Sequence, residues 1–172
     1  MRLTVKITLF TLAPAAALLF AVWMLHAEQH SSQTVLASTG ARFDLTAANR
    51  CVSLKQQTAG SLKKQLDAVP ADRSLYLVIA GLQAPKPPGV LYAVHLEPGG
   101  TQAPSESSRV GYLNFFSAGA GSKGKPFSFD VTQLMRTLIH EKPDLSSLQV
   151  CLVPGGTPES TPSVESIQLL AY

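Results

Sequence analysis

The chain has 172 residues, of which 15% are charged and 45% hydrophobic, and its formal net charge is +3. Without Arg2 and Lys6, which belong to an apolar N-terminal segment, 12 basic residues remain against 11 acidic ones. The longest basic cluster is Lys63-Lys64, and no aromatic residue is interleaved with it. The composition therefore excludes the basic, aromatic-containing surface of a nucleic-acid binder.

The first predicted element is a helix that spans a membrane. Residues 7–25 form an apolar run without a charged side chain. As a helix this run would be roughly 28 Å long, close to the hydrocarbon thickness of a bilayer. Arg2 and Lys6 lie on its N-terminal side only, which predicts a cytoplasmic N-terminus and an exported remainder.

Two interpretations of this segment stay open, a cleaved secretory signal and an uncleaved signal-anchor. The apolar run exceeds the h-region of about 7–15 residues that is usual in cleaved signals. Cleavage after Ala27 would place Leu25 where a small residue is preferred, whereas Pro14 lowers the hydrophobicity of an anchor. We interpret residues 1–26 as a single-pass signal-anchor in the inner or cytoplasmic membrane, which leaves the C-terminal domain in the periplasm or another extracytoplasmic space.

A tether and the start of a β domain follow this segment. Residues 27–42 are mostly polar and small, as in a tether, with a short strand predicted at 34–37. The exported domain then comprises residues 43–172. Its first part contains two possible strands and one possible helix, at 43–45, 51–54 and 61–69.

A clearer strand pattern begins at residue 75. Apolar and β-branched runs bounded by Pro/Gly turns predict six strands, at 75–82, 90–96, 110–116, 127–129, 148–153 and 167–172. The Gly/Ser/Lys segment at 117–125 predicts a mobile loop. We expect the aromatic residues of the strands to lie in the core: Tyr76, Tyr92, Tyr112, Phe115 and Phe116.

One amphipathic helix interrupts the strand pattern. Asp130 is predicted to be its N-cap and Gln133 to complete a capping box. Pro143 ends the helix. Short strands, Pro/Gly turns and this one helix predict a mainly β fold, an antiparallel, jelly-roll-like β-sandwich. The apolar residues at helical spacing are Val131, Leu134, Met135, Leu138 and Ile139.

Cys51 and Cys151 are the two cysteines of the chain, and both fall in the exported domain. An exported compartment permits a disulfide, and two cysteines allow one intramolecular pairing. The alternative is a pair of buried free thiols that pack as small apolar side chains. We predict the disulfide.

The sequence contains no recognisable catalytic motif. HExxH, CxxC, GxSxG and Gly-rich phosphate loops are all missing. His26 and His30 have a metal-ligand spacing but flank the membrane exit, and His95 falls on the less apolar face of a strand. His140 ends the helix, where a cation suits the helix dipole. We therefore expect a protein that is not an enzyme, with no catalytic residue, no metal site and no cofactor.

The segment from residue 75 to the C-terminus resembles the C-terminal domain of tyrosinase and polyphenol oxidase proteins. The FDV tripeptide at 129–131 looks like the one for which that accessory domain is named. Each motif is short, and the resemblance rests on the order in which they occur. The similar stretches are LYLVIAGLQAP (75–85), GVLYAVHL (89–96), VGYLNFF (110–116), FSFDVTQL (127–134) and LQVCLVPGG (148–156).

The resemblance implies a β-sandwich that, in that family, packs beside a helical catalytic domain in which six histidines bind two coppers. The sandwich there covers the copper site or assists folding. This chain departs from the family because it has four histidines and no predicted helical domain. The resemblance therefore implies an accessory module alone, acting through another polypeptide, and carries over no catalytic residue.

We accordingly expect a non-catalytic, membrane-anchored accessory protein whose exported domain binds and stabilises or docks another protein. The partner would be a tyrosinase-like copper oxidase or a larger membrane complex. The alternatives are a periplasmic ligand- or carbohydrate-binding module, which would need a flat row of exposed aromatics, and an enzyme with an unrecognised site. The candidate contact residues lie in the membrane helix, the Pro-rich turn and the following loop: Trp23, Met24, Pro85, Pro87, Pro88, Lys123 and Lys125.

Overall fold

A computed structural model of the chain describes residues 33–58, 60–119, 124–142 and 145–172. The predicted signal-anchor, with Trp23, Met24 and His26, lies outside the described residues, as do Ala27, His30, Lys123 and Pro143. Within the described ranges, no helix has the length and apolar character needed to cross a membrane.

The described chain is mainly β structure. The strands in the described ranges are β1 (Thr34–Ser38), β2 (Phe43–Asp44), β3 (Arg50–Gln56), β4 (Leu75–Ala80), β5 (Tyr92–Pro98), β6 (Arg109–Leu113), β7 (Phe127–Asp130), β8 (Leu148–Pro154), β9 (Ser163–Val164) and β10 (Ser166–Ala171). They are accompanied by helices α1 (Leu62–Asp67) and α2 (Thr132–Glu141) and a 3₁₀ turn at Glu106–Ser108. Every predicted strand and helix in these ranges is present, whereas β9 was not predicted.

Eight of these strands form one antiparallel sheet in the order β6-β5-β8-β3-β1-β10-β4-β7, and β2 pairs separately with β9. Two four-stranded halves meet at β1 and β3, which share two residue pairs. The edge strands β6 and β7 also approach each other, since a Cβ added to Gly111 would lie 2.5 Å from Cε1 of the Phe129 ring. The sheet is therefore nearly closed, between a sandwich and a barrel. The prediction of a mainly antiparallel β fold is confirmed.

Alternating side chains build the core inside this sheet. In β4, Leu77 and Ile79 are buried and their neighbours are partly exposed, as expected for a strand with one face on the core. Met135 of α2 is also buried and closes the core at one end. In β8 this alternation is lost, because Gln149 and Cys151 on its outer face are buried as well.

Helix α2 begins one residue later than the sequence predicted. Val131 occupies the N-cap position and its side chain is buried. Gln133 is then the second residue of the helix, whereas a capping box needs the third, so the predicted capping box is wrong. Asp130 still contributes, because its Oδ1 accepts a hydrogen bond from the backbone N–H of Thr132 at 2.9 Å.

Asp130→Ala is expected to lower the free energy of unfolding by about 0.5–2 kcal/mol, because the first turn of α2 loses an acceptor. Hydrogen bonds from the Thr132 side chain and backbone hold the pKa of the Asp130 carboxyl below its ordinary value. A lowered folded-state pKa stabilises the protein above the unfolded-state pKa, and this contribution is lost as the pH falls through the folded-state pKa. Denaturant unfolding of wild type and variant should show a difference at neutral pH that shrinks in acid. An equal difference at both pH values would contradict a role of the carboxylate.

The sheet has two distinct ends. One end carries α1, α2 and the point where the described chain enters β1, and we call it the helix end. At the other end lie residues 81–91, 114–119, 124–126 and 155–162, which belong to the connections between strands, and we call it the loop end. The loop end contains the Pro-rich turn at 85–88 and the described part of the loop after β6, where the sequence predicted contacts with a partner.

Candidate docking surface at the loop end

The connections at the loop end are held to each other by backbone hydrogen bonds. Ala84, which follows β4, donates from its N–H to the carbonyl oxygen of Ala118, which follows β6, at 2.9 Å. Gln83 forms an isolated β-bridge with Ser163 in β9. The connections after β4, β6 and β8 therefore form one framework rather than independent loops.

Phe116 projects from this framework on a turn with a fixed base. The N–H of Ala118 donates to the carbonyl oxygen of Phe115 at 3.1 Å, and the Asn114 side chain accepts from the N–H of Phe116 at 3.3 Å. Phe115 is buried and its ring contacts the ring of Tyr92 edge to face, with 5.7 Å between centroids. Phe116, in contrast, is 77% exposed. The turn thus holds a large apolar side chain in solvent.

Other exposed residues share this end of the sheet. Leu91, directly before β5, is 45% exposed. Pro85, Pro87 and Lys125 are exposed as well. We call these residues together with Phe116 the loop surface: Pro85, Pro87, Leu91, Phe116 and Lys125.

The structure corrects the prediction for Pro88. This residue is buried, and its carbonyl oxygen accepts a hydrogen bond from the N–H of Glu159 at 2.8 Å. Gly89 follows with a φ of 74°, a backbone conformation that glycine adopts readily. Pro88 and Gly89 therefore shape the turn, and Pro85 and Pro87 are the prolines of this turn that a partner can reach.

Three of the five aromatic residues expected in the core are not there. Tyr76 is partly exposed on the outer face of β4, where its ring contacts the ring of Tyr172 with 5.5 Å between centroids. Tyr112 is exposed on the outer face of β6, where the guanidinium carbon of Arg109 lies 5.1 Å from its ring centroid. Phe116 is exposed because β6 ends at Leu113, so the alternation of the strand stops before the aromatic pair. Tyr92 and Phe115 are buried as expected. The aromatic side chain of the loop surface, Phe116, is therefore one that the sequence predicted to lie in the core.

A buried polar cluster on the outer face of β5 was also missed. Glu97 accepts hydrogen bonds from the N–H of Ser105 at 2.7 Å and from Oγ of Ser108. His95 Nδ1 lies 2.8 Å from the carbonyl oxygen of Ser105. The sequence pattern that could have predicted this cluster is a pair of ionisable residues at alternate positions of one strand, followed by a serine-rich segment.

This cluster has the residue types of a Ser-His-acid triad but a different arrangement of hydrogen bonds. Nδ1 of His95 lies 3.3 Å from Oγ of Ser108 as well as close to the carbonyl oxygen of Ser105. Because that carbonyl oxygen can only accept, Nδ1 carries the hydrogen and cannot take a proton from Ser108. Ser108 donates directly to Glu97. These hydrogen bonds hold Ser105 and Ser108, which precede β6, against the outer face of β5.

Cys51 and Cys151 form the predicted disulfide. They are directly opposite each other in the antiparallel pair of β3 and β8, with 4.0 Å between their Cα atoms. The bond therefore ties the N-terminal part of the domain to a central strand.

The helix end carries a cleft of about 380 Å³ between β1 and α1. Gln65 lines this cleft, and its Oε1 is buried without a hydrogen-bond partner among the described residues. Arg73 also lines the cleft. In the part of the chain that the structure describes, no three His, Cys, Asp or Glu side chains are grouped so that they could hold a metal ion.

No protein-family model matches the sequence, and comparison with curated proteins gave no match. Among solved structures, the chain is similar to latent apple tyrosinase, with 21% identity and a TM-score of 0.42 over 86% of this chain and 31% of the other. It is also similar to latent aurone synthase, a polyphenol oxidase, with 16% identity and a TM-score of 0.47 over 84% of this chain and 29% of the other. The chain thus spans about 30% of these chains, and the likeness concerns the fold alone.

Proposed function

We propose that the chain is a non-catalytic accessory protein that docks a partner protein through the loop surface. The observation that carries this proposal is Phe116, a 77% exposed aromatic side chain on a turn whose base is fixed in the core. An exposed Phe ring gains nothing from the folding of its own domain, whereas buried aromatic anchors dominate the binding energy of many interfaces.

The rest of the loop surface suits the same role. Backbone hydrogen bonds join the connections that carry the loop surface, and a surface restrained in this way loses less entropy on binding. Leu91 and the prolines supply further apolar area, and Lys125 supplies a charged margin. An apolar centre with a polar rim is the usual arrangement of a protein interface.

The proposal includes the location of the protein. Residues 7–25 act as a signal-anchor, and the described domain functions on the exported side of the inner or cytoplasmic membrane. The support is the uncharged apolar run with basic residues on its N-terminal side only. Within the domain, the chain enters at the helix end and the loop surface lies at the opposite end.

The partner that we propose first is a copper oxidase of the tyrosinase type. The support is the sequence resemblance of the segment from residue 75 to the C-terminus to the domain that such enzymes carry beside their catalytic domain. A larger membrane complex is the second partner class. In both cases the domain contributes contact area and stability to the partner and no catalytic group.

Phe116→Ala is expected to weaken partner binding by about 30-fold or more, the effect of losing a hot-spot side chain worth about 2 kcal/mol. The partner is first trapped by placing a photo-crosslinking amino acid at position 116 of the full chain in native membranes. Affinity is then measured with the purified partner. Tyr172→Ala is the matched control, because Tyr172 is a 40% exposed aromatic at the helix end.

The two variants must also keep the fold. Their far-UV circular dichroism should match that of the wild type, and Phe116→Ala should keep the wild-type unfolding midpoint. Tyr172→Ala also removes a ring contact with Tyr76, with 5.5 Å between centroids, so its midpoint is expected to fall. Equal affinities of wild type and Phe116→Ala for the crosslinked partner would overturn the proposal, as would crosslinking from position 172 that equals crosslinking from position 116.

A periplasmic ligand-binding module is the second candidate function, and the cleft at the helix end favours it. Its volume falls within the range of small-molecule pockets, about 300–1,000 Å³. Gln65 Oε1 offers a hydrogen-bond acceptor there. In that case Gln65→Leu would abolish ligand binding and Phe116→Ala would leave it unchanged, so the two variants separate the two functions.

A further inference from the structure

The disulfide lies on the outer face of the sheet, and its two sulfurs have different surroundings. Leu54 and Val150 alternate with the cysteines in β3 and β8 and point into the core. Cys51 and Cys151 therefore belong to the opposite face. Cys151 is fully buried, whereas Cys51 is exposed.

Pairing within the sheet explains this difference. Cys151 in β8 has Cys51 as its partner on one side and His95 of β5 on the other. His95 is 4% exposed and is held in place by its hydrogen bond to Ser105. On the far side of Cys51, the pairs between β3 and β1 reach only as far as Lys55, so no described strand pairs with Cys51 there.

Thiol–disulfide exchange depends on which sulfur a thiolate can reach. The attacking thiolate approaches along the S–S axis, from the side opposite the leaving sulfur. For attack on Cys151 this approach comes from β5, where His95 stands. For attack on Cys51 it comes from the side of β3 that has no paired strand at this position.

We infer that Cys51 is a site of modification by low-molecular-weight thiols and that Cys151 is the leaving group. In the first step the thiolate sulfur bonds to Sγ of Cys51 and the Cys51–Cys151 bond breaks. Cys151 leaves as a thiolate and takes a proton from water. A second thiol that attacks the mixed disulfide on Cys51 releases the oxidised dimer of the small thiol and leaves both cysteines reduced. This inference goes beyond the proposed function and does not depend on it.

The test treats the full, oxidised chain with glutathione under native conditions. The reaction is quenched with acid, free thiols are alkylated with N-ethylmaleimide, and peptide mass spectrometry identifies the group on each cysteine. Glutathione should be found on Cys51 and N-ethylmaleimide on Cys151, with at least about a tenfold preference. In denaturant, where both sulfurs are accessible, the preference should fall to about twofold or less.

His95→Ala is expected to lower the preference for Cys51, because it opens the approach to Cys151. Val153→Ala is the matched control, since Val153 lies on the same face of β8 but pairs with Ala93 rather than with the disulfide. A preference for Cys151, equal labelling of both cysteines, or no mixed disulfide under native conditions would each overturn the inference. An unchanged preference in His95→Ala, with Val153→Ala also unchanged, would contradict the blocking role of His95.

Discussion

Replacing both cysteines by alanine is expected to lower the free energy of unfolding by about 4–5 kcal/mol. The bond closes a loop with a sequence separation of 100 residues. In the chain-entropy model, the stabilisation grows with the length of the closed loop because the crosslink restricts the unfolded chain. A loss of this size is a large fraction of the 5–15 kcal/mol, in round numbers, that is typical of folded domains.

Denaturant unfolding of the wild type and of the Cys51→Ala/Cys151→Ala variant checks this prediction. The wild-type chain, reduced and alkylated, serves as a second measurement, because it lacks the crosslink but keeps the wild-type sequence. The slope of the free energy against denaturant should rise in the uncrosslinked forms, because the unfolded chain exposes more surface. A loss below about 1 kcal/mol would show that the crosslink does not restrict the unfolded chain as the model requires.

The sequence predicted the secondary structure of the described domain because local patterns determine it. The continuous apolar run of β4 and the alternation in β8 each indicated a strand that is present. The helical spacing after Asp130 indicated α2. The start of α2 differed by one residue, because Val131 is drawn into the core and takes the N-cap position that Asp130 was expected to fill.

The candidate docking surface could be predicted in part only. The Pro-rich turn and the loop after β6 were identified from their composition, but the exposure of Phe116 was not. The apolar run at 110–116 looks like one strand, whereas the Asn114 side chain bonds to the N–H of Phe116 and the chain turns there. A local side-chain hydrogen bond that competes with strand pairing is hard to distinguish from strand continuation in a single sequence.

Contacts between distant segments account for the remaining differences. The burial of His95 and Glu97 depends on Ser105 and Ser108, which cross the outer face of β5. The near closure of the sheet depends on the Phe129 ring lying against Gly111, two residues in separate strands. The hydrophobic periodicity of a single strand does not reveal either of these contacts. The sequence therefore predicted a sandwich and did not predict that the edge strands nearly close the sheet.

Phe115→Ala is expected to lower the free energy of unfolding by about 3–5 kcal/mol, whereas Phe116→Ala should change it by less than about 0.5 kcal/mol. The two residues are neighbours of one type, which makes them a matched pair. Phe115 is 2% exposed and packs edge to face against Tyr92, so its removal leaves a cavity. Removing the Phe116 ring leaves no cavity, because the ring lies in solvent.

Denaturant unfolding of both variants measures this contrast, and Tyr92→Phe separates ring packing from the tyrosine hydroxyl. The Tyr92 hydroxyl is buried without a hydrogen-bond partner among the described residues, and burial raises its pKa. Tyr92→Phe keeps the ring contact and removes an unsatisfied polar atom, so stability should stay equal or rise. If Phe116→Ala proved as destabilising as Phe115→Ala, Phe116 would belong to the core of this domain. The loop surface would then lose the exposed anchor on which partner docking depends.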